Sequence, residues 1–276
     1  MSTMTVDCHV HIFGSSRDAA EPRHPHPEEA AALADVQPLG AAFGIRRFVL
    51  TQPSFLGFDN SHLLAAVARR PSDLRGVVWL PPSTDPNSLP GLAASGVAGL
   101  RFPLKYAREM PDWAAYADLL AAAGRHGLHI ELGVSGPELV TALDRVLTVG
   151  ATAVVDHLGL FDPTLGPDDD PAFSALIEAA ETRHVWVKLS APYRTAEALA
   201  DRAAEQLLDR LGADRLVWGS DWPHVGPRLD RLTTYPAAMD WFRRCVPDEA
   251  LRQQILAASP AALYGFPQEQ PANIPS

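Results

Sequence analysis

The segment Asp7-Cys8-His9-Val10-His11 sets two imidazoles two residues apart in an apolar run. On a strand such residues share a face, so His9 and His11 can meet one ligand or one metal ion. Cys8, between them, is expected to point away from that face as a small buried hydrophobe. A third histidine, His157, follows Asp156 after the run Ala153-Val154-Val155, and a carboxylate, Asp221, stands just beyond Leu216-Val217-Trp218-Gly219-Ser220. An aspartate placed there can act as a general base or as a metal ligand, and two histidines with one carboxylate make a sufficient catalytic zinc set. Asp156, one residue before His157, should face the other way and serve the structure.

Residues this far apart converge only if the elements carrying them lie side by side with their ends aligned. Short apolar, β-branched runs do alternate with longer Ala/Leu-rich stretches, the pattern of βα units around a parallel sheet. Eight strands are expected, at Thr5 to His11, Arg46 to Thr51, Arg75 to Leu80, Val97 to Arg101, Leu128 to Leu132, Ala153 to Asp156, Val185 to Leu189 and Arg215 to Trp218. Helical patterns cover Asn60 to Arg69, Trp113 to His126, Pro137 to Leu147, Pro171 to Thr182, Thr195 to Leu211 and Thr234 to Cys245, with Asp112 and Thr195 as N-caps. The chain has 276 residues, close to the roughly 250 of one barrel of this kind. The expected fold class is therefore α/β, a single (β/α)8 TIM-type barrel over residues 1–276. The polar stretch Gly14 to Pro38 is read as a rim loop, Asp248 to Tyr264 as the closure of the barrel bottom, and the tail 267–276 as loosely ordered. In such a barrel catalytic side chains project from the C-terminal strand ends, where His9, His11, His157 and Asp221 all fall.

A formal charge of -10 argues against a nucleic-acid partner, because phosphate binding needs a concentrated positive surface. No apolar run approaches the roughly 20 residues of a membrane span, and the N-terminus lacks a signal-peptide layout, so a cytoplasmic protein is expected. Two cysteines, Cys8 and Cys245, leave no disulfide framework and no Cys-rich zinc site. In so acidic a protein an anionic substrate needs local cations. Arg101 and Arg194, at strand ends, have the fork geometry that suits carboxylates. Lys105 and Arg108, in the loop after the fourth strand, could reach a second carboxylate. Ser54 and Asn60 offer neutral donors after the second strand, Tyr193 offers a ring to stack on the substrate or to pack at the rim, and His224 can support Asp221 or fill space beside Trp222.

The set Asp-X-His-X-His, Asp156-His157 and Trp218-Gly219-Ser220-Asp221-Trp222-Pro223-His224 resembles the amidohydrolase superfamily, in particular its lactonase branch acting on 2-pyrone-4,6-dicarboxylate. Thr51-Gln52-Pro53-Ser54, Gly99-Leu100-Arg101-Phe102 and Lys188-Leu189-Ser190-Ala191-Pro192-Tyr193-Arg194 extend the likeness over most of the chain. The resemblance implies a hydrolase in which Asp221 activates water against a lactone carbonyl, as in bacterial breakdown of aromatic or sugar acids. His9, His11 and His157 then polarise the carbonyl and hold the oxyanion, which requires a proton on each inward nitrogen. The partner implied is a small anionic lactone, and the oligomeric state stays unassigned. One departure bears on the substrate: the dicarboxylate lactonases place a tyrosine near the end of strand five, where this chain has Gly133.

A metal-independent site, with no cofactor, is the expectation, because Arg101 at the end of strand four is a permanent cation and strand five ends without a histidine. A single Zn2+ or Mn2+ on His9, His11 and Asp221 is the alternative, and would suit a metal-dependent decarboxylase or amide hydrolase on the same barrel. A non-catalytic binding barrel is the third reading, disfavoured by the retention of all four mouth residues.

Overall fold

A computed structural model describes residues 4–14, 29–107, 109–182, 184–225 and 234–266. Eight strands follow one another around one sheet in sequence order: β1 (Thr5–Val10), β2 (Ile45–Thr51), β3 (Leu74–Val78), β4 (Val97–Phe102), β5 (His129–Leu132), β6 (Ala153–Val155), β7 (Val185–Leu189) and β8 (Leu216–Trp218). All neighbouring pairs are parallel. The ring closes where β1 meets the chain just past β8: Asp221 N donates to His9 O (3.0 Å) and His11 N donates to Trp222 O (2.9 Å). The expected TIM-type barrel is thus observed, with strand limits moved by one or two residues.

Helices α1 (Leu33–Ala41), α2 (Ser61–Arg69), α3 (Leu89–Ala94), α4 (Trp113–Arg125), α5 (Pro137–Thr148), α6 (Pro171–Thr182), α7 (Glu197–Leu211) and α8 (Tyr235–Cys245) alternate with the strands. The large core lies between the outer sheet face and these helices. It takes Leu50, Leu100, Val155 and Val187 from the strands, and Leu119, Leu143, Leu176 and Phe242 from the helices. Burial on this scale is the main driving force for barrel formation. A smaller cluster of Val6, Cys8, Val49, Val77, Val217, Tyr264 and Phe266 fills the bottom of the barrel. Tyr264 ends α10 (Ser259–Tyr264), which follows α9 (Glu249–Gln253), so the C-terminal segment closes the barrel as expected.

Several expectations are corrected. Two helices were not foreseen. α1 overlaps the end of the expected rim loop and runs three residues beyond it, and Pro38 inside the helix masks the helical pattern. α3 is six residues long and is flanked by turn-forming residues. Thr195 does not cap α7, whose N-cap is Ala196, whereas Asp112 caps α4 by accepting from Ala114 N at 3.0 Å. Cys8 does not point away from the barrel interior, since it packs there on Val6 and Tyr264. The cause is an irregularity in the β1–β2 register, where three steps from Asp7 to Val10 oppose two from Phe48 to Leu50. Such a bulge breaks strict alternation, so Cys8 and His9 both face inward, while Asp7 turns outward and accepts from Ser220 N at 2.9 Å. The tail 267–276, most of the stretch 14–38 and Arg108 lie outside the described residues.

Candidate active site

Strand ends and tight turns bring the four expected residues together. His9 and His11 project from β1, with their Nε2 atoms 3.2 Å apart. Asp221 (φ 59°) and His157 (φ 51°) occupy the left-handed region just past β8 and β6, a conformation that few residues other than glycine adopt without cost. Asp221 Oδ1 lies 3.5 Å from Nε2 of both His9 and His11, and 3.9 Å from Nε2 of His157. This oxygen is buried and has no hydrogen-bond partner among the described residues. The other carboxylate oxygen, Oδ2, accepts from the Tyr193 hydroxyl and from Arg194 Nη2 (2.9 Å). Burial by itself would raise the Asp221 pKa, but the Arg194 guanidinium and the surrounding histidines outweigh it and hold the group well below the usual carboxylate range.

Each imidazole is anchored through Nδ1. His11 Nδ1 is 2.7 Å from Thr51 O, which can only accept, so this nitrogen carries a proton, and in the neutral form of the ring the inward Nε2 is a lone pair. His157 Nδ1 meets Ser190 Oγ at 2.9 Å. His9 Nδ1 lies between Lys188 Nζ (3.1 Å) and Asp156 Oδ1 (3.3 Å). Burial, reinforced by the Lys188 cation, pushes His9 down to about 3, and burial likewise holds His157 well below its ordinary value. Both rings are therefore neutral near pH 7.

Beneath the histidines lies a buried quartet that the sequence reading did not assemble. Lys188 Nζ is hydrogen-bonded to Glu131 Oε2 and lies 3.4 Å from Asp156 Oδ1. Arg101 Nε is 3.2 Å from Glu131 Oε1, and Arg101 Nη2 is 3.0 Å from Asp156 Oδ2. Two cations and two carboxylates balance, as charges removed from water must. Asp156 was expected to face away. The left-handed turn at His157 and Leu158 instead lets consecutive residues reach the same space, and Asp156 lines the cavity. The available signal was a charged residue inside a buried strand, at Glu131 beside His129 and again at Lys188 in an otherwise apolar run.

A cavity opens above this layer. His11, His157 and Asp156 line it, with Arg101, Lys105, Arg194 and Ser54 around them, while His9 and Asp221 stand immediately behind His11 and His157. Asn60 is not on the wall. Its amide donates to Phe58 O and Trp79 O and accepts from Trp79 N, so it organises the loop after β2. Tyr193 is buried against Asp221 and packs edge-on to His224, with ring centroids 5.8 Å apart. Gly133 borders the cavity, and a Cβ there would stand 3.2 Å from Asp156 Oδ2.

The donor set also fits a metal ion. His9, His11 and Asp221 form one group of converging ligand atoms, and His9, Asp156 and His157 form a second. The orphaned Asp221 Oδ1 and the inward lone pair of His11 are what such an ion requires. The electrostatic objection loses its force because the Arg101 charge is matched by Glu131 and Asp156. The expectation that no cofactor is favoured is therefore not supported.

An eight-stranded parallel barrel with His-X-His on its first strand and an aspartate after its last defines a class of hydrolytic barrel enzymes. The amidohydrolase family model matches residues 6–266, and the chain belongs to that family. It is 28% identical over 286 residues to the 2-pyrone-4,6-dicarbaxylate hydrolase of Comamonas testosteroni, covering 96% of this chain and 90% of that one. It is 30% identical over 280 residues to the 4-sulfomuconolactone hydrolase of Rhizobium radiobacter, covering 94% and 89%. A solved Pseudomonas putida protein with the provisional name 2-pyrone-4,6-dicarboxylic acid hydrolase superposes with a TM-score of 0.86 at 34% identity, covering 98% of this chain and all of that one (100%). A Burkholderia multivorans amidohydrolase solved with bound zinc shares the fold, with a TM-score of 0.74 at 21% identity. Among the described residues no helix is long and apolar enough to cross a membrane.

Proposed function

We propose that this chain is a lactone hydrolase that opens a small cyclic ester carrying one or more anionic groups. The observation that carries the reading is Asp221. Its Oδ1 is buried, without a hydrogen-bond partner among the described residues, and sits beside the two cavity-lining histidines. The hydrolases named for 2-pyrone-4,6-dicarboxylate and 4-sulfomuconolactone support the substrate class. Lys105 and Arg194 on the wall supply positive charge where an anionic lactone would bind. Arg101 stands on the same wall, but its charge is matched by Glu131 and Asp156, and its nitrogens already face these two and Gln52 O. Ser54 is placed to donate to a polar ring substituent. Arg108 is retained as a candidate for a second anionic group, and the space beside Gly133 suits a substituent where dicarboxylate lactonases carry a tyrosine.

In this mechanism Asp221 Oδ1 accepts a proton from water as the oxygen attacks the lactone carbonyl carbon. His157, with Ser190 donating to its Nδ1, turns an Nε2–H toward the carbonyl oxygen as negative charge develops there. Collapse of the tetrahedral intermediate breaks the ring C–O bond, and the proton held by Asp221 passes to the departing oxygen. His11, with a lone pair inward, orients the water rather than the oxyanion. A divalent ion, where bound, would be held by His9, His11 and Asp221 and would supply Lewis acidity at this position.

Ring opening of 2-pyrone-4,6-dicarboxylate and of 4-sulfomuconolactone, followed by ultraviolet absorbance in chelator-treated enzyme with and without added Zn2+ or Mn2+, tests the proposal. Turnover of either lactone is expected, with Asp221→Asn lowering the rate roughly 10²–10⁴-fold while the fold persists by circular dichroism. Silence on both lactones under every metal condition, or a fully active Asp221→Asn, would refute it.

A further inference from the structure

We infer that Lys188 is a positioning residue that biases the tautomer of His9 toward a ring proton on Nε2, favouring His9 as a hydrogen-bond donor over His9 as a metal ligand. The inference deepens the hydrolase reading of the same site.

Two ends of one hydrogen-bond chain lead to this assignment. At one end, Lys188 is wholly buried, and an ammonium has three protons and no lone pair. Its nitrogen is hydrogen-bonded to Glu131 Oε2 and to His9 Nδ1 at 3.1 Å, and forms an ion pair with Asp156 Oδ1 at 3.4 Å. Nδ1 can take its place in that set only as a lone pair. At the other end, His11 Nδ1 donates to Thr51 O, so that in the neutral form of His11 its Nε2 presents a lone pair 3.2 Å from His9 Nε2. Were His9 protonated on Nδ1, two lone pairs would face each other across that gap. With the proton on Nε2 the gap closes as an N–H···N hydrogen bond, and the chain runs Lys188 to His9 to His11 to Thr51 in one sense.

The competing partner is Asp156. Its Oδ1 lies 3.3 Å from His9 Nδ1 and would accept a proton from it, giving the opposite tautomer with both inward nitrogens bare. That is the arrangement in which a cation can sit among His9, His11 and Asp221. Lys188 opposes it twice, by donating to Nδ1 and by engaging Asp156 Oδ1. The buried lysine thus biases the choice between hydrogen-bond donor and metal ligand at one ring, through a change of proton position with no change of net charge.

Long-range proton–nitrogen correlation spectra of 15N-histidine-labelled, chelator-treated enzyme read the tautomer without substrate, so this inference and the lactonase reading can fail separately. The His9 signals are assigned by their loss in His9→Gln. The expected result is a protonated Nε2 and a bare Nδ1 in the wild-type protein. In Lys188→Met the ring should move toward the Nδ1 form. The double variant Lys188→Met/Glu131→Gln, which leaves no unpaired carboxylate at Glu131, should do the same where the single variant does not fold. Zinc affinity measured calorimetrically on the folded variant should rise about tenfold or more, the scale on which groups supporting metal ligands act. A wild-type His9 protonated on Nδ1, or a folded variant with unchanged tautomer and unchanged zinc affinity, would overturn the inference.

Discussion

The Tyr193 hydroxyl donates to Asp221 Oδ2, on the opposite side of the carboxylate from the oxygen that faces the histidines. With Arg194 on the same Oδ2, one oxygen is held and the other has no hydrogen-bond partner among the described residues. Removing the phenol should loosen the carboxylate without emptying the site. Tyr193→Phe is expected to lower kcat about tenfold with little change in KM, a split read directly from steady-state kinetics on the active lactone.

Arg194 has a separate, electrostatic effect. Burial opposes the negative charge of Asp221, and the guanidinium is the largest influence restoring it. A base held well below the ordinary carboxylate range stays ionised in acid, so the wild-type rate should show no acid limb near pH 5. In Arg194→Met burial is opposed by the histidines and the Tyr193 hydroxyl without the guanidinium, the pKa rises, and the limb should move to higher pH. A pH profile of kcat/KM unchanged by the substitution would count against this account.

Gly219 sits where β1 and β8 press together. A Cβ added there would lie 2.5 Å from His9 Cβ and 3.0 Å from His9 N, and backbone cannot yield as a side-chain tip can. Gly219→Ala should therefore destabilise the protein by about 1–3 kcal/mol, the usual cost of overpacking, and displace His9 as well. Thermal melts and urea titrations would measure the first effect, and loss of turnover the second.

Neither cysteine should behave as a reactive thiol. Cys8 is fully buried and its pKa lies well above the ordinary value, chiefly through burial. Cys245 is pushed up to about 12, by burial first and then by Asp201 beside it. Iodoacetamide at pH 8 is expected to leave both unmodified in the native protein and to label both after unfolding, as mass spectrometry would report.

The barrel was legible because parallel strands covered on both faces show as short apolar runs, and the four mouth residues because each stands at the end of such a run. What escaped was pairwise. Glu131 and Lys188 are visible as charges within strands, but their mutual contact depends on which strands adjoin across the barrel. The inward turn of Cys8 required a bulge, and the site position of Asp156 a left-handed turn at the next residue; alternation assumes neither. Asn60 has a side chain suited to a ligand, yet it spends its hydrogen bonds on Phe58 and Trp79. Residue type alone does not distinguish these uses.

The seam between the first and last strands also sets an order of assembly. Asp7 and Ser220, whose hydrogen bond helps close the ring, are 213 positions apart. Contacts of such long range bear the greatest loop-closure entropy, and they cannot form during synthesis until almost the whole chain has left the ribosome. His9 and His11 are made among the first residues and then wait, without their carboxylate, until Asp221 emerges. The candidate site therefore assembles late, with only the closing helices α8, α9 and α10 still to come, and a chain cut short before β8 would lack its carboxylate.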